Sequence, residues 1–443
     1  MAIKFGTDGW RSLMSQDFTE QNVEKVAKAI ASFLISSDLS GKGLIVGYDT
    51  RKKSDVFARI CAETITGYGI KVFKTNRPMP TPLVAFSVLE KQAGGAIMIT
   101  ASHNPSRYNG IKFISKEGGP SPVSITQKIE QFIDCPLSDQ GLSKIQGIDF
   151  DPIPQYRKYL KKIIDYENIK GSGIKIAVDP LYGAGYGILN DILEKDLGTR
   201  TFAIHNFADE NFGGKSPEPS NENLQGLKQI VAEKKADMGV ALDGDGDRFG
   251  VMDKDGSLLN SNQILALAAQ HLIDKGIKGK VVRTFATTHM LDKIAQINGC
   301  SLIETPVGFK YIAEQMISDP GDFLIGGEES GGLSVHGHIP EKDGLLADLL
   351  MVEMVALHKK SPKTLLDELF ERYGYFATKR IDVFLKDDQK KDLIEKAAKI
   401  KSFGGLKVLE KRQLDGVKFY LENENWLLFR PSGTEPVVRV YVE

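Results

Sequence analysis

Four short stretches of the chain gather residue types that could act on a charged, hydroxylated substrate. The first is Thr100-Ala101-Ser102-His103-Asn104-Pro105, placed directly after the apolar run Ala96-Ile97-Met98-Ile99. A short apolar run preceded by Gly94-Gly95 reads as a buried strand. Asn104-Pro105 ends regular structure, because proline lacks an N–H and pushes its predecessor out of the α region. Ser102 is therefore offered at a strand end beside His103, as a nucleophile or as an ordinary turn serine. The second stretch, Asp243-Gly244-Asp245-Gly246-Asp247-Arg248, follows Val240-Ala241-Leu242 and brings three carboxylates out of a strand with glycines between them. Alternate spacing turns all three toward one centre, where like charges repel unless a cation neutralises them, and hard oxygen ligands suit Mg²⁺ or Ca²⁺. A calcium loop of the EF-hand type needs glycine at its sixth position and glutamate at its twelfth. Arg248 and Lys254 stand there, so Mg²⁺ is the better match, and it suits phosphate chemistry.

The third stretch, Gly326-Gly327-Glu328-Glu329-Ser330-Gly331-Gly332, follows Phe323-Leu324-Ile325 and puts adjacent carboxylates and a hydroxyl in a loop suited to sugar hydroxyls. Adjacent glutamates cannot flank one glycosidic bond from opposite faces, which argues against a paired-carboxylate glycosidase. The fourth, Arg430-Pro431-Ser432-Gly433-Thr434-Glu435-Pro436, sets a guanidinium fork, two hydroxyls and the N–H groups around Gly433 where they could wrap a dianionic phosphate, or could simply join two strands.

The elements that must hold these loops follow a recurring order. Thr19 is an N-cap for an amphipathic helix carrying Val23, Val26, Ala27, Ile30 and Phe33, and Leu44 to Tyr48 reads as a strand ending at Asp49-Thr50-Arg51. A helix around Val56 to Ile65 and a strand at Ile70 to Phe73 come next. Strand–helix units recur after Ile174 to Val178 and after Val281-Val282, which predicts parallel α/β layers repeated three times. Breaker clusters at Gly141 to Pro154, after Ser257-Leu258-Leu259 and near Tyr373 divide the chain into residues 1–145, 146–257, 258–371 and 372–443. The last part has a smaller α+β pattern. The stretch Phe207 to Asn223, rich in Gly, Pro and Asn, has no periodicity and is expected on the surface.

Composition narrows the partners. Fifty-seven Lys and Arg against 58 Asp and Glu give a net charge of -1, so no net field favours nucleic acid or an anionic membrane. Cys61, Cys135 and Cys300 are too far apart for a Cys-x-x-Cys metal site or a disulfide framework. The beginning of the sequence has no signal-peptide core, and Leu345 to Leu357 is interrupted by Asp348 and Glu353, so a cytoplasmic protein without membrane spans is expected.

Taken together, these motifs resemble the α-D-phosphohexomutase family (phosphoglucomutase/phosphomannomutase), and the likeness runs in the family's order from Gly6 to Pro436. The resemblance implies an α/β protein of four domains around a central cleft, three similar units with mixed sheets between helices and a small α+β C-terminal domain. It implies that Ser102 carries a phosphoryl group and that Asp243, Asp245 and Asp247 bind Mg²⁺ together with the Ser102 phosphate. Glu328 and Ser330 would read sugar hydroxyls, with Thr305, Gly308 and Arg248 also at the substrate. Arg430, Ser432, Gly433 and Thr434 would grip its distal phosphate. The implied reaction moves phosphate between C1 and C6 of a hexose, through a hexose 1,6-bisphosphate that also activates the enzyme, in a monomer or homodimer.

Arg11, Lys112 and Arg248 would supply positive charge. His103 becomes a phosphate or loop-shaping contact, since a phosphoserine needs no neighbouring base. For the proton at the attacking hydroxyl, Lys342 in Gly337-His338-Ile339-Pro340-Glu341-Lys342-Asp343-Gly344 and Lys112 are both candidates. Some family members carry a histidine where this chain has Gly332. Glu329 leans the preference to glucose or mannose phosphates over glucosamine phosphate, whose mutases usually have glutamine there. A phosphoglucosamine mutase and a phosphatase using the same phosphoserine are the alternatives. A sensor that had lost catalysis is disfavoured by the presence of Ser102 and all three aspartates.

Overall fold

The computed structural model describes residues 3–6, 9–139, 141, 144–397, 399–432 and 436–443. They form four domains, three α/β units with mixed sheets and a C-terminal antiparallel sheet domain. In the first sheet, Leu44–Tyr48 runs parallel to Val72–Thr75 and Ala96–Ile99, and Tyr108–Ile114 returns antiparallel beside Ala96–Ile99. The second and third sheets repeat the scheme. Met238–Leu242 joins a parallel set and passes to antiparallel Phe249–Asp253, and Phe323–Glu328 passes likewise to Gly332–Val335. The first three chemically marked loops therefore fill one equivalent place, the hairpin connection where each sheet turns from parallel to antiparallel. Parallel strands covered on both faces read as unbroken apolar runs, as Ala96–Ile99 and Met238–Leu242 do.

Local signals account for the helices. Thr19 Oγ1 accepts the Asn22 N–H, and the helix Glu20–Ser36 buries Val23, Val26, Ala27, Ile30 and Phe33 as their spacing predicts. Asp343 caps Gly344–His358, a helix buried on nearly all sides at the centre of the molecule. Its charged residues are matched to that place. Glu353 accepts from His271 and Lys275, while burial, then Asp343, raise the Asp348 carboxyl well above the usual carboxylate range. No helix among the described residues is long and apolar enough to cross a membrane.

One apolar core runs from Leu83 and Phe86 through Tyr156 and Val240 to Leu265 and Leu349, fastening the first three domains together. The fourth meets the third through a smaller cluster, Phe285 and Ala286 against Trp426, Leu428 and Tyr441.

Short edge strands stand at two of the expected divisions. Ile148–Phe150 pairs with Val72–Thr75 in the first sheet, and Leu258–Leu259 pairs with Phe249–Asp253 in the second. Strands of two or three residues are too short to show alternation, so the neighbouring breakers dominate the sequence pattern. A correction concerns residues 207–223. This segment is only partly at the surface: Phe212 and Pro217 are buried, and it packs on the Ser102 and Asp243 loops.

Candidate active site

Ser102 sits in the hairpin connection between Ala96–Ile99 and Tyr108–Ile114, is almost wholly buried, and has φ of 51°. A non-glycine residue in this left-handed region costs about 1–2 kcal/mol, held only where the surroundings over-determine it. Here the Ser102 N–H donates to Thr100 Oγ1 at 2.8 Å, and the Asn104 N–H donates to the Ala101 carbonyl. The strained turn aims Ser102 Oγ at Asp243 Oδ2, 2.9 Å away in the second domain. His103 Nδ1 lies 3.5 Å from the same oxygen. The Arg248 guanidinium, and then burial, hold the His103 imidazole well below its usual range, so it is neutral. Arg11 reaches into the loop with its Nη1 donating to Asn104 Oδ1 at 3.0 Å.

The aspartate loop is gripped from both neighbouring domains. From the first, Thr81 opens a helix and donates both its N–H, to the Asp245 carbonyl, and its hydroxyl, to Asp245 Oδ2 at 2.6 Å. Lys112 Nζ bridges Asp245 Oδ2 at 3.0 Å and Asp247 Oδ2 at 2.9 Å. From the third, Lys342 Nζ stands 3.4 Å from Asp247 Oδ2, and the Gly344 N–H donates to the Gly246 carbonyl. Contact is so close that a Cβ on Gly244 would lie 2.8 Å from the Ser102 carbonyl oxygen, and one on Gly183 would lie 2.7 Å from that of Gly244.

The three carboxylates are buried, with one oxygen of each within 4.8 Å of the others. Burial, then Asp245 and Asp247, push the Asp243 carboxyl well above its usual range. Burial works the same way on Asp247 but is outweighed by Lys112, Lys342 and Arg248, which hold it well below. Asp245 Oδ1 and Asp247 Oδ1 accept no hydrogen bond from the described residues. Hard oxygens, crowded negative charge and two orphaned acceptors fit a small divalent cation.

In the third domain Glu328 ends its strand in a buried position. Burial, then Glu329, push its carboxyl up to about 7, against the opposing pull of Lys342, Arg248 and the Gly308 N–H. Gly308 precedes the helix Phe309–Ser318 with φ of 137°, and Thr305 ends the strand before it, its hydroxyl turned to the Pro306 carbonyl at 3.1 Å. Ser330 lies in the turn after Glu328, which Gly331 closes back onto the Glu328 carbonyl. Glu329 interacts electrostatically with Arg380, Arg430 and Tyr441 of the fourth domain.

Arg430 belongs to the strand Trp426–Pro431, so its side-chain direction is set by a sheet. Its Nε donates to Asp415 Oδ2 at 2.8 Å, and the same oxygen takes the Val307 N–H of the third domain at 3.1 Å. Ser432 is buried beside Lys390, which donates to its carbonyl. Gly433 and Thr434 lie outside the described residues.

The fold thus gathers Ser102, His103, Arg11, Lys112, Arg248, Lys342 and the three aspartates at one junction, with the Glu328 loop bordering it through Lys342 and Arg248. Further residues joined to these groups were not marked as chemical by their motifs. Thr81 and Arg51 lie on other elements, and Arg439 stands directly opposite Arg430 across the sheet. The repulsion expected of like charges in facing strands is offset on the Arg430 side by its ion pair with Asp415. The available signals were the charged strand end Asp49-Thr50-Arg51 and the single arginine within the otherwise largely apolar Val437–Val442.

Such a site, on three repeated α/β units and a smaller fourth domain, defines a phosphohexomutase. Residues 2–137, 154–256 and 260–373 match phosphoglucomutase/phosphomannomutase alpha/beta/alpha domains I, II and III, and residues 383–443 match the C-terminal domain. The chain belongs to the phosphoglucomutase/phosphomannomutase family and is an isomerase of that class. It is 30% identical, over its whole length and 95% of the relative's, to a phosphoglucomutase/phosphomannomutase of Thermococcus kodakarensis. It is also 30% identical to a phosphoglucosamine mutase of Carboxydothermus hydrogenoformans, again over its whole length and 95% of the relative's. A crystal structure from Thermus thermophilus, described as a phosphomannomutase, superposes with a TM-score of 0.88 at 34% identity, over 100% of this chain and 95% of that one.

Proposed function

We propose that the protein interconverts hexose 1-phosphate and hexose 6-phosphate, with glucose favoured and mannose also accepted. The reaction runs through phosphorylated Ser102 and a hexose 1,6-bisphosphate. The observation that carries this reading is the 2.9 Å approach of Ser102 Oγ to Asp243 in the buried aspartate cluster. A phosphoryl group on that oxygen enters a site already arranged for concentrated negative charge.

The sugar's unphosphorylated oxygen, at C6 or C1, attacks the phosphorus. It loses its proton as the new P–O bond forms, and the bond to Ser102 Oγ breaks. The bisphosphate then turns end for end, Ser102 Oγ takes the other phosphoryl group as its bond to the sugar oxygen breaks, and that oxygen takes back the proton. Mg²⁺ held by Asp243, Asp245, Asp247 and the phosphoserine would neutralise charge on the transferring group. Lys112 and Lys342 are the amines at the cluster able to carry the proton, whereas His103 is held neutral beside Arg248 and shapes the loop. Arg430, paired across the sheet with Arg439, grips whichever phosphate is distal, assisted by Ser432 and its neighbours Gly433 and Thr434. Glu328 and Ser330 hold the sugar hydroxyls, with Thr305 and Gly308 alongside.

A phosphoglucosamine mutase is the second reading, favoured by the likeness to the Carboxydothermus protein. Incubating the purified protein with Mg²⁺ and the 1-phosphates of glucose, mannose, glucosamine and N-acetylglucosamine tests both, with 6-phosphate and inorganic phosphate recorded. Conversion of the glucose and mannose phosphates ahead of the amino sugars is expected. Fastest conversion of glucosamine 1-phosphate replaces the first reading with the second, and inorganic phosphate as the main product makes the protein a phosphatase.

A further inference from the structure

We propose that Arg51 is a positioning residue for phosphoryl transfer, holding the Ser102 loop in the conformation that presents its hydroxyl to the aspartate loop, with Phe212 of the second domain completing its seat. This rests on the phosphoserine reading and adds to it a residue that touches neither sugar nor phosphate.

The hydrogen bonding of Arg51 is complete and directed at one target. Its Nε donates to Asp49 Oδ2 at 3.0 Å. Nη1 donates to the carbonyls of Pro105 at 2.9 Å and Tyr108 at 3.2 Å, and Nη2 to those of Ser102 at 2.5 Å and Asn104 at 2.6 Å. A guanidinium has five N–H groups, and all five are engaged, four of them on the backbone of a single loop. None is left for a substrate phosphate. The residue is 2% exposed, and its charge is balanced by Asp49 first, then by Asp245 and by these carbonyl dipoles. A lysine could supply three donors from one nitrogen and could not span four carbonyls.

The second domain closes this seat. Phe212 is itself buried, with φ of 51°, and its ring lies over the guanidinium 4.9 Å from Cζ. From the same segment Ser216 Oγ donates to the His103 carbonyl, and the Pro217 carbonyl accepts from the Gly244 N–H. Thr50, next to Arg51, donates from its hydroxyl to the Tyr182 carbonyl. Residues 207–223 therefore connect the serine loop to the aspartate loop, and the packing of the first domain on the second sets where Ser102 Oγ stands. In-line phosphoryl transfer depends steeply on that placement, since a displacement of about 1 Å can lower a rate by roughly 10²-fold.

Arg51→Lys and Phe212→Leu should be compared with the parent enzyme in kcat, KM, Mg²⁺ half-saturation, melting temperature and uptake of ³²P by Ser102 from labelled glucose 1,6-bisphosphate. The expected result for Arg51→Lys is a kcat and a labelling rate lower by about 10²-fold, with KM and Mg²⁺ half-saturation within about threefold. Phe212→Leu keeps an apolar side chain in the seat and is expected to lower kcat about tenfold at unchanged KM. It decides the matter alone if Arg51→Lys does not fold. A kcat within threefold of the parent in the folded variants overturns the proposal, as does a loss of kcat that follows KM and melting temperature. Failure of the parent enzyme to label Ser102 overturns the phosphoserine reading itself.

Discussion

Ser102 Oγ donates to Asp243 Oδ2 across 2.9 Å although the two residues are 141 positions apart in the chain. Each occupies the connection at which its sheet turns from parallel to antiparallel, so the contact joins equivalent points of two repeated units. A repeat that buries its core against the next brings such loops face to face. The serine hydroxyl and the carboxylates that face it come from different domains, and their alignment depends on domain packing.

Replacing Ser102 with Ala removes the only oxygen placed to receive a phosphoryl group in this reading. Sustained turnover should fall by at least about 10³-fold, and ³²P from labelled glucose 1,6-bisphosphate should no longer be retained on the protein. The Mg²⁺-dependent rise in melting temperature should persist in reduced form, because three carboxylates remain. Turnover near the parent rate would sink the phosphoserine assignment.

Asp245 is held by Thr81 and Lys112 on Oδ2, while its Oδ1 accepts nothing from the described residues. Asp245→Ala should therefore abolish Mg²⁺-dependent activity and most of the Mg²⁺-dependent stabilisation. For the parent protein, linkage gives about 2.7 kcal/mol of stabilisation at a metal concentration 100 times the dissociation constant. Differential scanning fluorimetry with EDTA and then with added MgCl₂ checks this. An equal shift in parent and variant would place the metal elsewhere.

Asp415 ties Arg430 to the third domain by accepting from both Arg430 Nε and the Val307 N–H. In the proposed reaction Arg430 grips the distal phosphate, so removing the Asp415 carboxylate would loosen a contact that contributes in ground state and transition state alike. Asp415→Ala should raise KM about tenfold and change kcat less than threefold, because uniform binding is lost. Steady-state kinetics with glucose 1-phosphate separates this from a fall in kcat at constant KM, which would assign Asp415 to the chemical step.

What the chain shows before folding follows from contiguity. The Ser102 turn and the aspartate loop could be read because their residues are adjacent and their preceding strands are uninterrupted apolar runs. Thr81 and Arg51 act on those loops from other elements, and no local pattern marks a threonine at a helix start as the partner of Asp245, 164 residues away. Residues 207–223 show the converse. Their polar, aperiodic composition reads as surface, yet the Phe212 ring packs on Arg51, the Ser216 hydroxyl donates to the serine loop, and the Pro217 carbonyl accepts from the aspartate loop. Asp348 and Glu353 interrupt the apolar stretch in the sequence. In the fold burial raises the carboxyl of Asp348 well above its usual range, and His271 and Lys275 satisfy Glu353.

The junction of the third and fourth domains contains a lysine whose charge should depend on pH. Lys418 is fully buried, with Nζ donating to the Phe285 carbonyl at 2.8 Å, 2.8 Å from His289 Nε2 and over the Trp426 ring at 4.0 Å. Burial, then Arg283, bring its amine down from the usual 10.5 to about 7, against the pull of Glu304, Asp292 and Glu443. Between those values the unfolded chain binds a proton that the folded chain has released, so stability rises as pH rises from about 7 toward 10. A displacement of this size carries on the order of 5 kcal/mol across the full window. Lys418→Met removes the titrating group while keeping an apolar stem among the rings. In urea unfolding at pH 6.5, 8 and 9.5, the parent protein should gain more stability with rising pH than the variant. Parallel pH profiles for the two would show that Lys418 remains charged in the folded junction.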